Sequence, residues 1–295
     1  MKTPNLYHLP EGVAETLYET SFTLPPPTDF EDENLALDTV DNYRYALRRV
    51  PGITPLITRM RSDLATERSA RGYLVIGDVP TGPMHKDMTV PTALCALIGQ
   101  PFILSPKNGF WQDIGVNAAA HPGAGENPIR IDAANTTNPP DYRALYSLRT
   151  DPRGGGISLL SNVQDMVDKL TAGEVEALSQ PRFMEGRSLE MRGVGHEYSP
   201  FPVLERQNNG LWMVRLTGRT LPETTNDTDK RLLRHVGRLL FEGRERFTLR
   251  PTSLLITNQH IVAHGQTPPG SGQEAVPQNQ RRYLRQSYLR RDGTL

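Results

Sequence analysis

The sequence predicts one mixed α+β domain, a β-sandwich core with helices packed outside it. Three observations carry this. The 295-residue chain holds 25 Gly and 25 Pro, a turn-rich composition that suits many short strands. Along the chain the patterns run helix, mixed, β, helix, β, with no internal repeat. Asn209-Gly210, set between runs of alternating polarity, is a strong hairpin signal. Hydrophobic residues make up 37% of the chain and charged residues 22%, which supplies a sizeable core and gives no sign of disorder. The domain is expected to span 1–295, with an N-terminal helical region at about 1–70 and a helical insertion at about 162–180.

In chain order, residues 1–34 carry LPPPTDFEDEN and read as an irregular arm. Leu35, Leu37, Val40, Tyr43 and Leu47 then recur at helical spacing, and PLITRMRSDLATERSA continues in that style to a stop at Gly72. YLVIGDVP reads as a short buried strand closed by Pro80. VPTALCALIG reads as a helix capped by Asp87 or Thr89 and stopped by Gly99. From 100 to 161, short apolar runs broken by Gly, Pro and Asn predict strands and loops. Residues 162–178 predict one or two helices. In TTNDTDKRLLRHVGRLLFEG, Leu232, Leu233, Val236, Leu239 and Leu240 form one apolar stripe. Asp or Thr caps its start and Gly243 ends it. RFTLRPTSLLITNQHIVAHG gives two strands around a turn, and QRRYLRQSYLRR gives a last strand.

Composition excludes several classes. Lys+Arg and Asp+Glu are 33 each, so the whole-protein basic field that nucleic acid would need is absent. A lone Cys95 rules out an internal disulfide and any multi-cysteine metal site. The N-terminal residues show no signal-peptide pattern, and no run approaches the ~20 apolar residues of a membrane span. A soluble cytoplasmic protein with a small-molecule partner is expected, with no nucleic acid and no membrane. Arg153-Gly154-Gly155-Gly156 is a turn rather than a phosphate cradle, because no Lys-Ser/Thr follows it. Trp111 and Trp212 read as packing residues.

The polar residues in the second half form an ordered set. Asp132 stands in IRIDAANTTNPPDYRALYSLR, ahead of a Pro-Asp-Tyr strand start. Ser158 follows the Gly-rich turn, and His264 follows a buried strand and turn. Arg281, Arg282 and Arg285 lie on the last strand. This order over residues 70–290 resembles the taurine dioxygenase / clavaminate synthase-like family of Fe(II)- and 2-oxoglutarate-dependent oxygenases. The resemblance implies a double-stranded β-helix, or jelly roll. It also implies iron held by a His-x-Asp/Glu pair and a distal His, with open positions for 2-oxoglutarate and O2. It places the metal ligands at Asp132 and His264, and the anchor for the far carboxylate of 2-oxoglutarate at Arg282. Arg281 and Arg285 are neighbours of that anchor, and Ser158 is its hydroxyl partner. The implied chemistry is hydroxylation or a related oxidation of an amino-acid-derived or natural-product intermediate, free or carrier-tethered.

One position departs from the family pattern. Arg130 stands where the first His belongs, and a guanidinium has no lone pair to offer a metal. It would pair with Asp132 instead. His121, His196 and His260 are candidate substitutes, and His85-x-Asp87 is a literal but displaced His-x-Asp. Two readings stay open. One is an oxygenase with an altered metal site. The other is a repurposed jelly roll without iron, in which Arg130 and Arg282 clamp an anionic small molecule and His264 acts as a base.

Overall fold

The computed structural model describes residues 5–28, 30–31, 34–82, 88–104, 109–115, 127–185, 194–195, 200–223 and 226–291. Seven helices and seventeen strands lie among them. The N-terminal part holds β1 (Leu6–His8), α1 (Glu11–Ser21), β2 (Phe30–Glu31), β3 (Asn34–Leu35), α2 (Leu37–Arg48) and α3 (Thr54–Asp63). After it come β4 (Tyr73–Gly77), α4 (Thr89–Ala96), β5 (Gln100–Phe102), β6 (Gln112–Gly115), β7 (Asn127–Arg130), β8 (Tyr142–Arg149) and β9 (Ser158–Asn162). Next are α5 (Val163–Val167), α6 (Ala172–Leu178), β10 (Phe183–Glu185), β11 (Leu204–Arg206), β12 (Trp212–Val214), β13 (Thr220–Pro222) and α7 (Asp227–Glu242). The chain closes with β14 (Glu245–Phe247), β15 (Ser253–Asn258), β16 (Val262–Gln266) and β17 (Tyr283–Arg290).

Two sheets carry the fold. Nine strands form the larger one, in the order β1-β4-β15-β8-β17-β5-β3-β2 with β6 on β17. The smaller is β14-β9-β16-β7. Strand alternation decides what lies between them. Val75, Leu145, Leu255 and Leu284 of the large sheet pack against Leu160, Phe247 and Val262 of the small one. The opposite-parity residues Leu74, Ile76, Ala144, Tyr146, Leu254 and Ile256 face α1–α4. On the far side, Leu159 and Ala263 of the small sheet meet Met166 of α5 and Val236, Leu239 and Leu240 of α7. The core is thus three packed layers of apolar side chains, with helices outside both sheets.

The helix from 227, the two short helices at 163–178, the two strands β15 and β16 around a turn, and the last strand form where the sequence predicts them; the turn carries the chain from the larger sheet to the smaller. The Asn209-Gly210 turn joins β11 to β12, with Gly210 at φ +82° and the Asn209 side chain accepting from Leu211 N. Three local readings change. The arm at 1–34 contains β1, parallel to β4, and α1, whose Val13, Leu17 and Ser21 recur every four residues on the buried face. A mixed stripe followed by Pro25–Pro27 hides that helix from a pattern search. The α7 cap is Asn226, whose side-chain carbonyl accepts from Thr228 N. Thr89 is already inside α4, which starts after Met88 at φ +58°, and Asp87 lies outside the described residues.

Candidate functional site

The alternation that fills the space between the sheets also carries polar residues into it. On β8, Arg143 shares the parity of Leu145. On β9, Ser158 shares that of Leu160; on β16, His264 shares that of Val262; on β17, Gln286 and Tyr288 share that of Leu284. All five are buried. On β7, Ile129 points to the outer core, so Arg130 points inward. It sits directly across the ladder from His264. Arg130 and His264 therefore face each other in register.

Asp132 lies just beyond β7. Its backbone N–H donates to Gln259 Oε1 at 2.8 Å, while Gln259 Nε2 donates to Pro140 O at 2.9 Å. The β15–β16 turn thereby clamps the segment that presents the carboxylate. The next residue, Ala133, takes φ +55°, a left-handed conformation that favours glycine, and it turns the chain away.

Both carboxylate oxygens of Asp132 are engaged. Arg130 Nε donates to Oδ1 at 3.4 Å. Tyr288 Oη donates to Oδ2 at 3.1 Å, and Arg143 Nε lies 3.3 Å from the same oxygen. His264 Nε2 is 3.2 Å from Oδ2, but both ring nitrogens lack a hydrogen-bond partner among the described residues. A second layer closes the group. Arg143 Nε donates to Gln286 Oε1 at 2.8 Å, and Gln286 Nε2 donates to Tyr288 Oη. Arg143, Gln286, Tyr288 and Asp132 thus form one polar ring.

The electrostatics follow from burial and charge. Burial, reinforced by the charge of Arg143, pushes the His264 imidazole down to about 4, so it is neutral near pH 7. Burial opposes the charge of Asp132, but the contact with His264 and the guanidiniums of Arg130 and Arg143 hold it well below the usual carboxylate range. Burial pushes the Tyr288 phenol well up, and Asp132 adds to this, so it remains a hydrogen donor.

Arg282 is buried immediately before β17, and burial, then the charge of Arg143, lowers its pKa to about 10. It is accommodated by Gly156: a Cβ there would lie 2.6 Å from Arg282 Cδ, and Gly156 also has φ +64°. A narrow cavity lined by Arg143, Ser158, His264, Gly265 and Gln266 lies between the sheets.

The structure gathers Arg130, Asp132 and His264, and puts Ser158 with His264 on the cavity wall. Arg281 and Arg285 are engaged elsewhere. Arg281 Nε donates to Val276 O at 2.8 Å, and Arg285 Nε donates to Asp113 at 3.0 Å. His260 pairs with Asp141 at 2.6 Å rather than with Asp132. His85, Asp87, His121 and His196 lie outside the described residues. Sequence reasoning missed Arg143, Gln286 and Tyr288. The signal was a charged or polar residue at the inward parity of a strand whose other inward residues are apolar.

Its donors decide whether the site can hold an iron ion. A facial triad needs three protein ligands on one face. Asp132 and His264 offer two, and their spacing alone would allow a shared metal. Arg130 holds the third place without a lone pair. Arg143 fills the approach to Oδ2 with a second guanidinium, which would repel a dication. Among the described residues no group of three His, Cys, Asp or Glu is placed to hold a metal. The residues present do not fit iron.

No protein-family model matches the chain, and no curated protein matches its sequence. Solved structures do. Asparagine oxygenase in complex with Fe(II), 2S,3S-3-hydroxyasparagine and succinate aligns with TM-score 0.76 and 20% identity over 97% of this chain and 93% of that one. The non-heme iron oxygenase OrfP in complex with Fe and L-Arg aligns with TM-score 0.70 and 18% identity, over 98% of this chain and 95% of that one. The complex of OrfP with Fe and alpha-ketoglutaric acid gives TM-score 0.73 at 16% identity, with the same coverage. The chain has the fold of the Fe(II)- and 2-oxoglutarate-dependent oxygenases of the taurine dioxygenase / clavaminate synthase-like family, the family its sequence resembles.

Proposed function

We propose that this chain uses the oxygenase pocket without iron, to bind an anionic small molecule and do acid–base work on it. The observation that carries the reading is the state of Asp132: both of its oxygens are held by Arg130, Arg143 and Tyr288. Arg282 and Ser158 keep the carboxylate-anchoring role that the family resemblance gives them. Arg282 is buried; Asp151 supports its charge from a distance, but among the described residues no carboxylate lies within ion-pair distance of it, so an incoming carboxylate would be its direct ion-pair partner. His264, neutral and with both buried ring nitrogens unpartnered among the described residues, is the group proposed to take a proton. Asp132 keeps the two flanking guanidiniums in place.

A second reading is an oxygenase that still uses iron and 2-oxoglutarate on an amino-acid-derived substrate. The Fe complexes of asparagine oxygenase and OrfP favour it, and so does the 3.2 Å spacing of Asp132 and His264. Anaerobic titration with Fe(II) and 2-oxoglutarate separates the two. Chelated 2-oxoglutarate gives a visible metal-to-ligand charge-transfer band. The proposal expects no band in the wild type. A wild-type band that disappears in His264→Ala would establish the second reading.

A further inference from the structure

We propose that Arg143 stands in the metal's place as the receptor for a second carboxylate, so that the pocket binds a short dicarboxylate of the 2-oxoglutarate class without metal. This rests on the reading above, in which Arg282 anchors the first carboxylate. Three observations lead to it. The Arg143 side chain is nine-tenths buried between the sheets, yet only its Nε is bonded, to Gln286 and in ion-pair contact with Asp132. Among the described residues its two terminal nitrogens have no protein hydrogen bond, and Arg143 lines the cavity with Ser158 and His264. Guanidinium donors at a cavity wall without a protein acceptor are free to serve a ligand, and a carboxylate is the acceptor that suits a planar fork.

The charges point the same way. Arg143 and Arg282 are two buried cations near enough for one to weaken the protonation of the other. Of the described carboxylates only Asp132 is within ion-pair distance of either, and it is shared with Arg130, while Asp151 acts on Arg282 only from farther away. A monoanion would answer one of them; two carboxylates on a short carbon chain would answer both.

The placement of Arg143 is fixed. Gln286 holds its Nε and is itself tied through Tyr288 to Asp132. Restoring the family's His at position 130 would leave that ring intact. Iron binding is therefore blocked twice, and Arg130→His alone restores none of it.

The test is calorimetric titration of the full chain, in excess chelator, with 2-oxoglutarate, glutarate and pyruvate. The proposal expects 2-oxoglutarate and glutarate to bind within about 3-fold of each other, since no metal reads the keto group. Pyruvate, with one carboxylate, should bind at least 10-fold more weakly; a factor of ten is about 1.4 kcal/mol. Arg143→Met should weaken both dicarboxylates at least 10-fold while leaving pyruvate within about 3-fold. Arg143→Lys, which keeps the charge against Asp132 and so protects the fold, should lose affinity through its missing fork. If 2-oxoglutarate binds and is lost in Arg282→Met but unchanged in both Arg143 variants, the role of Arg143 is overturned while the carboxylate pocket stands. If no carboxylate binds in chelator, both readings fail. Metal binding by Arg130→His alone, read from the absorption of added Co(II), would also overturn the proposal.

Discussion

At the scale of single residues, the site depends on one carboxylate. Asp132 is the counter-charge of Arg130 and Arg143. Removing one partner of a buried ion pair leaves an uncompensated charge, which costs about 3–5 kcal/mol. Asp132→Asn should lower the unfolding free energy by that order. Arg130→Gln should cost much less, because the Arg130 side chain is 22% exposed and Asp132 retains Arg143. Urea unfolding of both variants checks the ranking. His264 makes a pH prediction. Its folded pKa, about 4, lies below the ordinary value of a free histidine. Protons then bind the unfolded chain more readily, so stability is lost as pH falls from that ordinary value toward about 4. Between pH 8 and pH 5 the loss from this group is about 2 kcal/mol. His264→Gln should remove that much of the wild-type pH slope. An unchanged slope would show that the imidazole titrates alike in the folded and unfolded chain, so that its pKa is not lowered by folding. Residue identity was legible here only in part. Arg130, Asp132 and His264 stood out by their spacing in the sequence. Arg143 did not, because a lone arginine in YRALYSL reads the same whether it faces a cavity or a surface.

At the scale of elements, strand parity does the positioning. Arg143, Ser158, His264, Gln286 and Tyr288 all lie at the inward parity of their strands. A one-residue slip in any ladder would send its side chain to the opposite face. A strand was readable at β4 and at β15, whose apolar runs are continuous. Parity was not readable for β7, four residues long and bounded upstream by a Gly- and Pro-rich stretch. The α1 helix was lost for a similar reason: its buried stripe is three residues long and is followed by three prolines. The turn before β9 makes the prediction that belongs at this scale. Gly156→Ala places a methyl 2.6 Å from Arg282 Cδ and 2.7 Å from its Nε, at a φ that L side chains avoid. Arg282 should be displaced, and dicarboxylate affinity should fall at least 10-fold, about 1.4 kcal/mol, with the far-UV circular dichroism unchanged. Unchanged affinity would mean that Arg282 does not touch the ligand.

At the scale of the whole molecule, what the chain shares with the oxygenases is the fold. The chain overlays asparagine oxygenase with TM-score 0.76, so the two-sheet core and its outer helices are retained. At 20% identity the side chains are free to differ, and fold alone does not fix function. The sequence pattern singled out Ser158 and His264, which line the cavity, through the order of carboxylate, hydroxyl, imidazole and arginine along the chain. It could not reveal the pocket's sign, which depends on Arg143 approaching Asp132 from a different strand. The most direct test of the central claim is anomalous diffraction at the iron edge, on crystals grown anaerobically with excess Fe(II) and 2-oxoglutarate. The account predicts no anomalous peak between Asp132 and His264, and a dicarboxylate spanning Arg282 and Arg143. An iron peak bonded to both Asp132 and His264, with Arg143 displaced, would contradict it.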